Sequence, residues 1–268
     1  MLDAEAIRAS LNDGWARAEL RVLGSVSSTS DIAWAWADAG CAEGTAVFAE
    51  EQVQGRGRFG RAWLSPRGRG LLMSFVLRPE TGDIGPAHIT ALAAVAVAEA
   101  IEAEAGLAAG IRWPNDVVIA GRKVAGILTE CRGARVAPCV VGIGINVNTQ
   151  RGELPAEIRP TATSLAIEAG RPFAREALAG AVLSRVGRHY REALAGRWAG
   201  VAEQWARRAA LLGQAVRVQT QRGRHEGRLV ASDPLLGVEL EFPGGERRAF
   251  RAEEALRVMP LRGGADSD

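Results

Sequence analysis

The sequence predicts an α+β protein: a mixed-sheet unit over residues 1–212, a small β-barrel over residues 213–262, and a tail at 263–268. Three features carry this prediction. Helical and extended patterns mix without the steady βαβ rhythm of a doubly wound sheet. The longest helical pattern, Pro86 to Ala105, is bounded by Pro79 to Gly85 and by Gly106. After Gly213 the chain turns to short alternating strands separated by Gly, Pro and Asp.

Element by element, Asp3 to Leu20 reads as a surface helix and Arg21 to Val26 as a strand. The cluster Ser27-Ser28-Thr29-Ser30-Asp31 supplies hydroxyls to cap a helix from Ile32 to Ala39, which stops at Gly40. Thr45 to Glu50 and Gly70 to Leu77 are strands flanking a glycine- and arginine-rich loop, Gln54 to Arg61. Val117 to Ile119 and Lys123 to Glu130 form two strands joined at Ala120-Gly121-Arg122, and Val140 to Asn148 is another. Ser164 to Ala169 is helical, as is Ala174 to Ala210 with breaks near Gly196 and Gly200. The barrel strands are expected at Ala215–Thr220, Glu226–Ala231, Gly237–Phe242, Arg247–Arg251 and Leu256–Val258.

With 33 basic and 31 acidic residues, the net charge of +2 argues against a chain built to coat nucleic acid. The basic residues are arginines except for one lysine, Lys123. Cys41, Cys131 and Cys139 are odd in number and lack metal-ligand spacing, so no disulfide framework is expected and a reducing compartment is. Met1 to Ser10 carries charges rather than an apolar leader, and Ile89 to Ile101 is too short to span a bilayer. These points predict a cytoplasmic protein with no membrane partner.

Gly55-Arg56-Gly57-Arg58-Phe59-Gly60-Arg61-Ala62-Trp63 contains a G-x-G-x-x-G, with Glu80 about twenty residues beyond it. A dinucleotide fingerprint needs a helix opening at the third glycine. Here Ser65-Pro66-Arg67-Gly68-Arg69-Gly70 follows instead, so that reading fails. What remains is arginine alternating with glycine, which lets a guanidinium fork and bare backbone approach phosphate or carboxylate oxygens. Joining a carboxylate to a phosphate opposes two anions, at roughly 4 kcal/mol for 4 Å and an effective dielectric of about 20. Arginines would lower that cost. A solvated hairpin tip or a nucleic-acid-binding turn is the competing reading.

Arg112-Trp113-Pro114-Asn115-Asp116 offers an amide and a carboxylate suited to a phosphate-bound Mg²⁺, or else a plain turn after proline. Lys123 lies in an apolar strand segment, where an ammonium is costly unless an anion such as an acyl phosphate faces it. Gly142-Ile143-Gly144-Ile145-Asn146-Val147-Asn148 places amides at a strand end, with glycines that admit another backbone or a ligand.

In this order the segments GRGRFGRAW (55–63), RWPNDV (112–117), GRKVAGIL (121–128) and GIGINVN (142–148) resemble the biotin protein ligases, the biotin–[acetyl-CoA-carboxylase] ligases. The resemblance covers about Val22 to Val258. It implies a mixed-sheet biotin/lipoate ligase-like catalytic domain with an SH3-like C-terminal barrel. The implied substrates are biotin and ATP with Mg²⁺, and the implied acceptor is a biotin carboxyl carrier protein or domain. Ser28, Thr29, Ser30 and Gln52 would take the ureido ring; Gly55, Arg56, Gly57, Arg58, Trp63, Lys123 and Gly126 would hold the rest of biotin. Arg58, Arg61, Asn115, Asp116 and Asn146 would contact ATP, with Asp116 near the metal. Lys123 and Arg58 would be the catalytic groups. Two positions depart from the family: Arg112 stands for a lysine, and Ser30 for an asparagine that reaches farther. The related lipoate ligases usually carry Arg-Arg-x-Ser-Gly-Gly-Gly, which is absent here. Some family members carry an N-terminal winged helix. Only about twenty-five residues precede Ser27, so no DNA partner is expected, and the chain is a monomer or homodimer by resemblance.

Overall fold

The computed structural model describes residues 1–11, 19–79, 83–132 and 138–261. The middle of the expected first helix, the position of Glu80 and the tail lie outside these residues. In chain order the elements are α1 (Ala4–Ala9), β1 (Leu20–Val26), α2 (Thr29–Asp38), β2 (Ala46–Gln52), β3 (Leu71–Leu77), α3 (Pro86–Ala105), β4 (Gly110–Arg112), β5 (Asp116–Ile119), β6 (Arg122–Cys131) and β7 (Cys139–Ile145). There follow α4 (Leu165–Ala169), α5 (Arg175–Leu194), α6 (Ala199–Arg208), β8 (Ala215–Thr220), β9 (Gly223–Asp233), β10 (Gly237–Glu241), β11 (Arg247–Phe250) and β12 (Arg257–Pro260).

A seven-stranded sheet runs β1-β2-β3-β7-β6-β5-β4, and a five-stranded one runs β11-β10-β9-β8-β12. Only β1–β2 is parallel in the first sheet, so the sheet is mixed, while the second is wholly antiparallel. These are the α+β domain and the small barrel-like unit expected from the sequence.

Strand alternation divides the large sheet into two faces. Met73 and Phe75 of β3 and Val141 and Ile143 of β7 join the main core, together with α3 and α5. Val76 and Val140, one residue out of step, pack with Trp34 and Ala37 of α2 on the other face. Ser74, Gly142 and Gly144 share that second parity. The apolar helix α3 is therefore a core helix: proline starts it, Gly106 ends it at φ 68°, and it is covered by the sheet and α5.

Three expectations are corrected. The first helix does not run to Leu20, because that residue opens β1 in register with Ala46. Helix α2 begins at Thr29 rather than Ile32, because Ser28 alone caps it and accepts from Ser30 N–H. Cys131 and Cys139 face each other across β6 and β7 with Cα atoms 4.2 Å apart, and they are joined as a disulfide. An odd cysteine count could not reveal that pairing. Cys41 is the free thiol.

Candidate active site

A small cavity opens on the α2 face of the large sheet. Ser28, Thr29, Ser30, Gln52, Arg56, Gly57, Arg58, Trp63, Asn115, Lys123 and Gly126 all line it. It continues into a wider cleft lined by Arg61, Arg112, Asp116 and Asn146, and by Arg217 and Arg257 from the barrel. The expected residues thus converge, with Gly55 just behind the wall.

The inner end is neutral. Helix α2 starts where β1 leaves the sheet, which puts Ser28, Thr29 and Ser30, all buried, beside the end of β2. Gln52 Oε1 accepts from Thr29 N–H at 2.7 Å, from the Thr29 hydroxyl at 2.9 Å and from the Ser28 hydroxyl at 3.4 Å. Behind them Ser74 Oγ lies 2.8 Å from Thr29 Oγ1 and 3.1 Å from Ser30 Oγ. Ser74 was missed in the sequence. Its signal is a lone polar residue in Leu71-Leu72-Met73-Ser74-Phe75-Val76-Leu77.

The glycine–arginine segment is a short hairpin. Gly57 N–H donates to Arg61 C=O at 2.7 Å, and Trp63 N–H donates to Gly55 C=O at 2.8 Å. Phe59 (φ 58°) and Gly60 (φ 71°) turn its tip, leaving Phe59 exposed. Of its arginines, Arg56 pairs with Asp31 at 2.6 Å, which draws the Asp31 carboxyl below its ordinary pKa. The Arg58 guanidinium has no hydrogen bond or ion pair among the described residues, and it covers the Phe59 ring at 4.8 Å. Burial pulls the Arg58 pKa down, against the opposing pull of the Asp116 charge. A guanidinium left in this state is ready for an incoming anion. Trp63 lies against the bare backbone of Gly126 and Gly144, where a Cβ would strike its ring, and its indole N–H is buried without a partner.

Lys123 owes its direction to a β-bulge. Strand β6 pairs Ala125 with Val117 but Lys123 with Val118, so Val124 is the extra residue. Val124 turns into the core, fully buried, and Lys123 swings to the cavity beside Gly126. There its ammonium pairs with Asp116 Oδ1 and sits 5.4 Å over the Trp63 ring. Asp116 Oδ2 takes Arg112 Nη2 at 2.9 Å. Burial pushes the Asp116 pKa up, but the charges and hydrogen bonds of Lys123 and Arg112 outweigh it and hold the carboxyl below its usual value.

Both Asp116 oxygens therefore carry cations, so the carboxylate does not fit a magnesium ion unless one of them moves. No group of three His, Cys, Asp or Glu residues able to hold a metal occurs among the described residues. The two asparagines line the cleft, and each spends one amide N–H on the fold. Asn115 Nδ2 donates to Ile127 C=O at 2.7 Å, and Asn146 Nδ2 to Thr163 C=O at 3.0 Å. Each keeps its second amide N–H and its carbonyl oxygen for a ligand.

The barrel brings two arginines that the sequence did not single out. Arg217 pairs with Glu226 at 2.7 Å. Burial, together with the neighbouring charges of Arg61 and Arg112, lowers the Arg257 pKa, opposed only by Asp116. Trp113 fixes the barrel against the sheet, its indole N–H donating to Ala255 C=O at 3.0 Å. Arginine forks along a cleft that starts at a neutral pocket suit a ligand with a polar uncharged head and an anionic second half.

Comparison with known proteins agrees with this chemistry. Residues 22–148 match the biotin/lipoate A/B protein ligase family. The chain is 36% identical over 233 residues to the bifunctional ligase/repressor BirA of Bacillus subtilis, across 86% of this chain and 72% of that protein. It is 32% identical over 212 residues to the biotin–[acetyl-CoA-carboxylase] ligase of Paracoccus denitrificans, across 77% of this chain and 88% of that one. The biotin protein ligase of Aquifex aeolicus, solved in complex with biotin and ATP, superposes with a TM-score of 0.79 at 29% identity, across 91% of this chain and 99% of that one. The chain belongs to the biotin/lipoate A/B protein ligase family, among its biotin protein ligases.

Proposed function

We propose that this chain activates biotin with ATP to biotinyl-5′-AMP and transfers the biotinyl group to a lysine of a biotin carboxyl carrier domain. One observation carries the reading: the sole lysine, aimed by a bulge, stands where the neutral pocket meets the arginine-lined cleft. In the first step a biotin carboxylate oxygen attacks the α-phosphorus of ATP, and pyrophosphate leaves. In the second, the acceptor ε-amine attacks the acyl carbon, AMP leaves, and the amine gives up a proton.

Ser28, Thr29, Ser30 and Gln52 hold the ureido ring, while Gly55, Arg56, Gly57, Trp63 and Gly126 enclose the tail. Lys123 and Arg58 neutralise the carboxylate and α-phosphate as they approach, the point where charge accumulates in the transition state. Arg61 and Arg257 meet the outer phosphates, and Asn115 and Asn146 present their remaining amide N–H and oxygen to the nucleotide. Asp116 positions Lys123. Magnesium is proposed as the ion that arrives on the ATP phosphates rather than one kept by Asp116. Phe59 and Arg58 at the hairpin tip are placed to shield the mixed anhydride from water.

The balanced charge supports a chain without specific DNA affinity, and cytoplasmic action accords with the substrates. The testing experiment is incubation with biotin, MgATP and a biotinyl carrier domain, followed by mass measurement of the carrier. A gain of one biotinyl group supports the function; an unmodified carrier with no pyrophosphate released contradicts it.

A further inference from the structure

We infer that Ser74, which does not line the cavity, is a positioning residue that fixes which way the ring-binding hydroxyls point their hydrogens, and so sets the preference for a ligand with ring N–H groups. The inference rests on the biotin reading above. It follows from counting donors. The Thr29 backbone N–H can only donate, so the Gln52 atom 2.7 Å from it is the amide oxygen. The Thr29 hydroxyl, 2.9 Å from that same oxygen, spends its single hydrogen there. Ser74 Oγ, 2.8 Å from Thr29 Oγ1, must then be the donor of that pair. With its hydrogen used, Ser74 accepts from the Ser30 hydroxyl at 3.1 Å.

The result is a one-way chain, from Ser30 through Ser74 and Thr29 to Gln52. Two consequences reach the cavity wall. Thr29 and Ser30 turn lone pairs, not hydrogens, toward a ligand, so Ser30 meets it as an acceptor. Gln52 Nε2 faces away from the chain, unpartnered among the described residues, and offers donors instead. A cyclic urea, with N–H groups beside a carbonyl, matches such a wall. A ring of the same size without them leaves its lone pairs unanswered, and unpaired buried acceptors are the usual source of strong discrimination. Ser74 is fully buried, and Gly142 opposite it leaves room for Ser30, since a Cβ there would lie 2.9 Å from Ser30 Oγ.

Removing the Ser74 hydroxyl frees the Ser30 hydrogen to turn into the cavity, against the ligand N–H. The test measures pyrophosphate release by wild type, Ser74→Ala and Ser74→Cys. It adds inhibition by a pentanoic acid bearing a thiolane ring without the urea. The expected result for Ser74→Ala is a biotin KM raised about tenfold, with kcat and ATP KM within about twofold and affinity for the urea-free acid unchanged. Ser74→Cys, with a weak donor in place of a strong one, falls between. An unchanged biotin KM overturns the inference, as does an equal loss of affinity for biotin and the urea-free acid. A wild-type chain that releases no pyrophosphate with biotin removes the ligase reading itself, a result distinct from either.

Discussion

At the inner end of the cleft, neutral groups bind one another: Gln52 takes three donors, and Ser74 ties two hydroxyls behind it. At the outer end Arg58, Arg61, Arg112, Lys123, Arg217 and Arg257 share the lining with a single carboxylate, Asp116. The inner hydroxyls and the Gln52 oxygen already have partners and fixed directions, so they recognise a ligand by where donors and acceptors fall. The outer cations exceed their counter-charges, and repulsion among them is relieved when a polyanion arrives. The first region provides selectivity and the second provides attraction and charge neutralisation. Lys123 stands at the join.

The comparison breaks first at that join. Lys123→Ala is expected to lower pyrophosphate release by about 10²–10³-fold with a smaller change in biotin affinity, since the lost charge acts where the anions meet. Turnover within tenfold of wild type would separate Lys123 from the chemistry.

Next comes Asp116→Asn. Removing one partner of a buried ion pair costs about 3–5 kcal/mol, because Lys123 and Arg112 would be left facing each other. The Asp116 pKa is lowered in the folded chain, so its stabilisation is full above the ordinary aspartate value of 3.8 and is lost as pH falls below it. Thermal melts between neutral and acid pH should show a shallower acid limb in the variant. Parallel curves would contradict the assignment.

A smaller effect is expected from Arg257→Ala, which removes one of several outer cations. The ATP KM should rise about tenfold while the biotin KM holds, as measured by varying each substrate in turn. Smallest is the effect of salt. Raising ionic strength from about 0.05 to 0.5 M should weaken ATP binding several-fold and leave biotin binding nearly unchanged. Equal sensitivity of the two substrates would erase the proposed division.

Much of the outer cleft was legible in the sequence. A solitary lysine in an apolar strand marked Lys123, and arginines alternating with glycines marked the hairpin, because both patterns are expensive unless an anion answers them. The inner end was legible only at its surface. Ser28, Thr29 and Ser30 stood out as a cluster, but Ser74 reaches them from a strand more than forty residues away, and only the sheet's parity brings it there. The Val124 bulge was hidden for a related reason. Simple alternation from Ala125 would turn Lys123 into the core, and the extra residue reverses it. Arg257 likewise depends on a contact between segments that no local pattern links.

The most direct measurement is a diffraction structure of the chain with biotin and a non-hydrolysable ATP analogue. The expected density has the ureido ring within hydrogen-bond distance of Thr29, Ser30 and Gln52, and the carboxylate and α-phosphate between Lys123 and Arg58. Biotin seated elsewhere, or phosphates lying away from those two cations, would contradict the account.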